Sequence, residues 1–355
     1  MTEQTVAVIG AGVSGLTAAK CLRAEGLYVR VFERATGPGG VWLYSCDATA
    51  PFASPMYDPL ETNYPRDLME FANHPWPDNS PLYPSHQQVL GYLQSYGEGV
   101  EVDYGTEVVD ICKRTAMHPH RWRVTIQHAN SKKKFDLNFD AVVICIGTFD
   151  KPFMSEHDGL AEWEMACPGS VLHSKSFRDF ESYRSKNVVV VGDGPSGQDI
   201  ANRLAGVAKN IWVSTRKTKR KPANPKLTPI GPIKKFHNKS GSIEFEDGQT
   251  IAEVDKVIYC TGEKNLNIDT KAHQLSYPEC KEYIETLQMR IVEDAASPRG
   301  SPITPDNKPF RWTKRIEWTM SNRGDIGKAY KGKACLRKKY PTPESLGFKG
   351  VPRRE

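Results

Sequence analysis

The most telling chemistry in this sequence lies where side chains are missing. Gly10-x-Gly12-x-x-Gly15, within TVAVIGAGVSGLTAAK (5–20), and Gly192-x-Gly194-x-x-Gly197, within NVVVVGDGPSGQDI (187–200), each follow an apolar run and open a helical pattern. Such a turn suits a pyrophosphate. The first glycine permits the tight bend, the second lets backbone approach the ligand, and the third lets the helix pack against the strand. The helix N-terminal amides then meet the phosphate charge. For either turn alone, a glycine bend with no ligand is the plainer alternative.

The residue closing the next strand tells the two apart. Glu33 ends the run Tyr28 to Glu33, 18 residues past Gly15, close to the roughly 20 expected of the acid that binds a ribose. A carboxylate there accepts a free 2′-hydroxyl and repels a 2′-phosphate, as FAD or NAD requires. In the second copy Arg216 stands 19 residues past Gly197, with Lys217, Lys219, Arg220 and Lys221 beside it. A basic cluster in place of the acid accommodates a 2′-phosphate, although a solvated charge run is the commoner fate of such a stretch. An acidic first site and a basic second one point to FAD and NADPH respectively, with hydride passing from NADPH to the flavin.

The elements that must hold these turns repeat as well. Strands are expected over Thr5 to Ile9 and Tyr28 to Glu33, and again over Asn187 to Val191 and Asn210 to Ser214. Helices are expected over Ser14 to Glu25 and from Ser196 to about Ala205. Each unit then runs through a hairpin-like stretch (121–140 and 240–255) into D-x-V-[VI]-x-C-x-G: Asp140 to Gly147 and Asp255 to Gly262. The continuous apolar run 141–147 reads as a buried parallel strand. The duplication implies an α/β chain of two Rossmann-like dinucleotide-binding domains. A FAD-binding domain covers 1–165 and an NADPH-binding domain, inserted in it, covers 166–265. A poorly periodic segment follows over 266–355. Residues 51–84 carry eight prolines among many aromatics, a composition that reads as ordered, irregular chain lining a site. A helix is expected from about Ser85 to Tyr96, with Val89, Leu90, Tyr92, Leu93 and Tyr96 on its apolar face. The loop Gly37-Pro-Gly-Gly40-Val41-Trp42 is, by itself, a weak turn signal.

Bulk composition sets limits. With 39% hydrophobic and 25% charged residues, the chain reads as globular, and no apolar run reaches the roughly 18 residues of a membrane span. The formal charge of +6 arises in the tail: residues 281–355 hold 17 Lys/Arg against 9 Asp/Glu, leaving 31 against 33 before them. That tail lacks the organised basic surface of a nucleic-acid binder. The eight cysteines are dispersed without CxxC, so the chain reads as reduced and cytoplasmic. Cys145 and Cys260, inside apolar runs, read as small buried hydrophobes. A disulfide reductase of this architecture would need a cysteine pair near the flavin, which leaves a quinone, an electron-transfer protein or oxygen as the electron acceptor.

Over residues 5–262 the sequence resembles the class B flavin-containing monooxygenases of the dimethylaniline-monooxygenase type, which share a glutathione-reductase-like FAD/NAD(P) fold. The likeness rests on GAGVSG, GPGGVW, LETNYPRDLMEF, CPGSVLHSKSFRDF, VVGDGPSGQDIA and the paired D-x-V-x-x-C-x-G strands. The family signature FxGxxxHxxxF/Y reads here Cys167-x-Gly169-x-x-x-His173-x-x-x-Phe177, with only the leading Phe replaced, and no Trp-Pro follows His173 as it does in Baeyer–Villiger relatives. The resemblance implies that NADPH reduces FAD, that O₂ adds to give a C4a-hydroperoxyflavin, and that one oxygen passes to nitrogen or sulfur of a small amine or thioether. It implies a catalytic Asn63, whose plainer reading is an Asx turn before Pro65, and a His173 that sets domain geometry. Cofactor binding is assigned to Gly10, Gly12, Ser14, Gly15, Glu33, Arg34, Gly40, Val41, Trp42, Thr62, Asn63, Gly147, Gly192, Gly194, Ser196, Gly197, Arg216 and Gly262. No metal ligand is expected.

Beyond Gly262 the likeness stops: Glu263 stands where relatives carry an aromatic, and the following text is basic and aperiodic. The expectation is an atypical or truncated end that leaves the flavin domain without its last strand. An inactive nucleotide-binding remnant, or an NADPH oxidase or reductase, therefore stands as the alternative function.

Overall fold

The computed structural model describes residues 4–71, 73–114, 120–129, 131, 133–147, 149–216, 224–262 and 348–349. Lys217, Lys219, Arg220, Lys221, Glu263 and, apart from Phe348 and Lys349, the basic tail lie outside the described residues. In chain order the elements are β1 (Thr5–Ile9), α1 (Val13–Ala24), β2 (Tyr28–Phe32), α2 (His86–Tyr96), β3 (Val102–Asp103), β4 (Thr106–Lys113), β5 (Trp122–His128), β6 (Lys134–Phe139) and β7 (Ala141–Ile144). There follow α3 (Leu160–Ala166), β8 (Val171–His173), β9 (Asn187–Val191), α4 (Pro195–Leu204), β10 (Asn210–Ser214), β11 (Leu227–Ile230), β12 (Ile233–His237), β13 (Ser242–Phe245), β14 (Thr250–Ala252) and β15 (Lys256–Tyr259). Among the described residues no helix is long and apolar enough to cross a membrane. The chain divides into two compact units, residues 1–60 with 93–264, and residues 61–92 with 265–355.

The first unit contains the same module twice. A parallel sheet in the order β3-β2-β1-β7 is matched by one in the order β11-β10-β9-β15-β8. Each module also has a three-stranded antiparallel sheet, β4-β5-β6 in the first and β12-β13-β14 in the second. The valines of β9 show why its apolar run is unbroken. Val188 and Val190 pack with Ile200, Ala201 and Leu204 of α4, while Val189 and Val191 pack on the opposite face with Trp163, Phe236 and Phe245. A strand covered on both faces needs apolar residues at every position. In the first module Ala7 and Phe32 pack against Val124, Ile126 and Phe139 of the antiparallel layer.

The repeated aspartate has a structural task. Asp140 Oδ2 accepts the Thr5 N–H at 2.8 Å, and Asp255 Oδ2 accepts the Asn187 N–H at 2.7 Å. In return the Asp140 and Asp255 amides donate to the Thr5 and Asn187 carbonyls, both at 2.9 Å. Each closing strand is thereby pinned in register to the strand that enters its glycine turn, by charge-assisted bonds of the stronger class.

The modules differ at one edge. β15 is flanked by β8 and its last three residues are buried, whereas among the described residues β7 forms the sheet edge, with Ile144 59% and Ile146 50% exposed. The run 141–147 is parallel to β1, as expected, but it is not buried. Apolar character reports what a strand can cover; its place in the sheet decides what covers it. Cys260 is correspondingly buried, and Cys145 is half-buried.

The signature that ends in His173 and Phe177 is packed inside. Phe177, fully buried, meets Tyr57, Phe180 and Tyr183 edge-on or tilted at 4.9–5.3 Å for the nearest ring pairs. His173 Nε2–H donates to the Gly262 carbonyl at 2.9 Å while Nδ1 accepts the Lys175 amide at 3.1 Å, which defines a neutral ring. Burial holds its pKa below the ordinary imidazole value, and nearby Lys175 acts in the same direction.

In the second unit, the proline-rich stretch is ordered around Tyr92. Its ring stacks on Trp76 (centroids 3.8 Å, 9°) and on Phe71 (5.6 Å, 10°). Its hydroxyl accepts the Phe71 amide at 2.8 Å and donates to the His74 carbonyl at 2.6 Å. Arg66, buried, donates to the Ser80 carbonyl, so irregular backbone is satisfied without a ladder.

Two outcomes are expected. Phe177→Ala should lower stability by about 3–5 kcal/mol, the cost of emptying a buried aromatic site; a chemical-denaturation midpoint equal to that of the wild type would refute the packing role. His173 contributes stability in full above the ordinary value of 6.5, and loses it as pH falls from there towards the lowered folded value, because the unfolded chain then binds the proton first. Thermal midpoints should therefore decline from neutral pH towards pH 5, well above the carboxylate range, and less steeply in His173→Gln.

Candidate functional site

Each glycine turn is shaped by the closing strand of its module. Gly10 has φ +99°, and a Cβ there would lie 2.5 Å from the Cys145 carbonyl oxygen; at Gly192, φ +105°, the distance is 2.6 Å to that of Cys260. A Cβ on Gly15 or Gly197 would strike the carbonyl of Gly10 or Gly192 at 1.8 or 2.1 Å. No residue with a side chain fits any of the four positions. The middle glycines act otherwise. Gly12 and Gly194 are the N-caps of α1 and α4, both in extended conformation, and neither helix has a side-chain cap. The first-turn amides are thus free of a protein cap and available to an anion. Ser14 and Ser196, exposed in those first turns, flank the same amides.

The loop 37–42, weak as a sequence signal, is brought against the first turn. The Gly39 amide donates to the Ala11 carbonyl at 2.9 Å, and a Cβ on Gly40 would come 3.0 Å from the Gly12 Cα. Val41 and Trp42 continue from it in a single 3₁₀ turn. Two backbone segments therefore lie in contact with no side chain between them, leaving along their shared surface a side-chain-free slot suited to a pyrophosphate. Glu33 is buried at the tip of β2. Its Oε2 accepts the Ala11 amide at 2.7 Å and its Oε1 the Ala35 amide at 2.8 Å. These bonds fix the carboxylate beside the turn, and each oxygen keeps a lone pair for a ribose hydroxyl. Gly147, exposed with φ +70°, follows β7.

Strand register corrects one correspondence between the copies. Gly10 N–H donates to Phe32 O, and Gly192 N–H donates to Ser214 O; Ile9 pairs with Phe32 and Val191 with Ser214. The counterpart of Glu33 is therefore Thr215, not Arg216, and Arg216 is the counterpart of Arg34. Equal spacing agrees with the ladder, since Glu33 lies 18 positions past Gly15 and Thr215 lies 18 past Gly197; reading Arg216, at 19, as the counterpart of the acid falls one residue late. A hydroxyl and an adjacent exposed guanidinium stand where the first copy has a carboxylate, a pair fit for a 2′-phosphate. Arg34 is instead engaged by Asp150, through bonds of 2.7 and 3.1 Å.

Neither cysteine of the closing strands is a nucleophile. Burial pushes the Cys260 thiol up to about 12 and raises that of Cys145, and a thiol so protonated is inert. Gly262, φ +78°, offers its carbonyl to His173 and to the Phe153 amide.

Thr62 and Asn63 belong to the second compact unit. Thr62 is buried, and its hydroxyl donates to the Tyr64 carbonyl at 2.8 Å. Asn63 is exposed. An Asx turn at Asn63 would need an amide at Pro65, which has none, so the local bend is held by Thr62 and the Asn63 side chain is available for another task.

Both turns, Glu33 and Arg216 fall within residues 3–220, the stretch matched by the family described as flavin-binding monooxygenase-like. The chain is 34% identical over 286 residues to the Arabidopsis thaliana flavin-containing monooxygenase FMO GS-OX-like 4, covering 73% of this chain and 62% of that protein. It is 33% identical to FMO GS-OX4 from the same plant in an alignment covering 98% of this chain and 80% of that one. Among solved structures, S-allyl-L-cysteine S-oxygenase from Allium sativum superposes with a TM-score of 0.65 at 31% identity, over 74% of this chain and 63% of that one. The chain thus spans about three fifths of the length of the first of these relatives. With both glycine-rich turns inside the matched region, the chain belongs to the flavin-binding monooxygenase-like family, whose cofactors are FAD and NADPH.

Proposed function

We propose that the protein is an NADPH-dependent FAD monooxygenase that places one oxygen atom of O₂ on a nucleophilic sulfur or nitrogen of a small molecule. The observation that carries this reading is the duplicated module with different strand ends: a carboxylate held by two amides at Glu33, and Thr215–Arg216 at the same place in the second copy. The first suits the ribose of FAD, the second the 2′-phosphate of NADPH. Bound FAD supplies the redox chemistry and the activation of O₂. The chain's own residues bind and orient: Gly12 and Gly40 line the backbone slot, and His173 holds the Gly262 carbonyl at the end of the second module. The S-oxygenase named above favours a thioether as the substrate, with an amine as the other soft nucleophile.

The exposed edge of β7 favours a second reading. Among the described residues the first module has four parallel strands where the second has five, so a less enclosed flavin would be reduced by NADPH and would release peroxide. The protein is to be mixed with NADPH in air, with and without a thioether, while sulfoxide and peroxide are both measured. Sulfoxide formed in step with NADPH consumption supports oxygenation; peroxide alone identifies an oxidase; a colourless protein that does not bind added FAD eliminates both.

Two substitutions test the sites separately. Arg216→Ala should weaken NADPH by about 10- to 100-fold, the loss of a charge-assisted bond worth about 1.5–3 kcal/mol, and leave NADH within about twofold; equal effects on both would remove the 2′-phosphate assignment. Gly12→Val should abolish FAD retention by filling the slot against Gly40, while NADP⁺ binding measured calorimetrically persists. Retention of FAD by this variant would exclude the slot as the pyrophosphate site.

A further inference from the structure

Among the described residues the first module passes into the second by a crossing that follows Gly147 and contains Asp150 and Phe153, and this crossing runs beside the end of the second module's closing strand, which continues from β15 to Thr261 and Gly262. They are bound to each other, since the Phe153 amide donates to Gly262 O at 2.9 Å and the Thr261 hydroxyl donates to Phe153 O. His173 adds its bond to the same Gly262 carbonyl.

Asp150 stands at the centre of this belt. Its carboxylate receives Arg34 Nη2 on Oδ1 at 2.7 Å and Nη1 on Oδ2 at 3.1 Å, a two-pronged pairing with fixed geometry. Arg34 directly follows Glu33 in the first module, and its guanidinium lies 4.3 Å from the centroid of the Phe52 ring. From the second module Lys175, two residues past His173, donates to the Asp150 carbonyl oxygen and reaches Oδ1 at 3.3 Å. Arg34 and Lys175 together hold the Asp150 carboxyl below the usual carboxylate range. The Arg34 and Asp150 side chains remain about a third exposed (34% and 38%), so the network adds little to folding stability. Its leverage is geometric: one carboxylate touches the residue after the ribose-binding acid of one module and the strand-end segment of the other.

We propose that Asp150 is a positioning residue, which fixes the angle between the two dinucleotide modules by holding Arg34 on one side and Lys175 on the other. This rests on the reading of the second module as the NADPH site. Without the clamp the modules sample other angles, and a nucleotide that must face the flavin binds only the fraction correctly aligned.

The test compares Asp150→Asn, Asp150→Glu, Lys175→Met and the double variant Asp150→Asn/Lys175→Met with the wild type. FAD affinity is read by flavin fluorescence, NADP⁺ affinity by calorimetry on the FAD-loaded protein, and local opening by hydrogen exchange at the Phe153 amide. Asp150→Asn should raise the NADP⁺ dissociation constant about tenfold, with FAD within about twofold, as expected when the competent fraction falls. Exchange at Phe153 should quicken about tenfold while β1 and β9 amides stay unchanged. Asp150→Glu should recover most of both effects, and the double variant should be weaker than Asp150→Asn by less than Lys175→Met alone weakens the wild type, since Lys175 acts partly through the carboxylate and keeps its bond to the residue-150 carbonyl. Unchanged NADP⁺ affinity and Phe153 exchange, equal weakening of FAD and NADP⁺, or multiplying effects in the double variant would each overturn the clamp. If the wild type itself binds no NADP⁺, the NADPH assignment fails, and Phe153 exchange alone decides whether Asp150 holds the crossing.

Discussion

A cysteine carbonyl oxygen occupies the space that a side chain would need at the head of each glycine turn. Cys145 O does so at Gly10 and Cys260 O at Gly192, with 2.5 and 2.6 Å to a Cβ that is absent. This backbone contact joins residues far apart in sequence, and much follows from it. The closing strand sits beside the entering strand, the turn bends over the closing strand's end, and the helix starts with its amides uncovered. A side chain at either glycine would force the strand ends apart by more than ordinary core relaxation allows. The repeated aspartates secure the same strand pair at its other end, so each pair is pinned both where the turn begins and where the strands start.

On that shared frame, the copies diverge at the end of the second strand, the place to which the proposed function assigns ligand specificity. In the first, the residue after the second strand is an acid whose two oxygens are held by amides. In the second it is a threonine followed by an exposed arginine. The substitution leaves the fold unaffected because the bonds these positions make to neighbouring strands use backbone alone, the Glu33 amide donating to Asp103 O and the Thr215 amide to Ile230 O. A duplicated scaffold can in this way bind two related dinucleotides with opposite preference for a 2′-phosphate.

Most of this frame is legible from the sequence, for a physical reason. β1, β2, β9 and β10 are short apolar runs bounded by glycine turns, and α1, α2 and α4 keep a helical period, so local pattern and final environment agree. The antiparallel layers are harder to read. β5 and β6 alternate clearly, but β4 carries Glu107, Asp110 and Lys113 on a largely exposed strand and shows no apolar face of its own. The edge position of β7 is invisible in its composition, since an edge strand and a central one can have the same residues. The correspondence of Arg216 with Arg34 is by contrast legible, since each lies 19 positions past the third glycine of its turn; the basic cluster beginning at Arg216 draws the eye one residue past the true counterpart of Glu33. The aromatic stack around Tyr92 gives no periodic signal at all; only the density of rings among the prolines distinguishes that stretch from disorder.

The placement of β7 also bears on how the chain is made. β1 and β7 are 135 residues apart at their tied ends, Thr5 and Asp140, yet among the described residues every strand of the first parallel sheet precedes residue 145. The second parallel sheet begins with β8 at Val171. On a ribosome these four strands can therefore pair before any strand of the second sheet has emerged. An inserted domain usually delays the domain that contains it; among the described strands the order along the chain separates the two sheets in time.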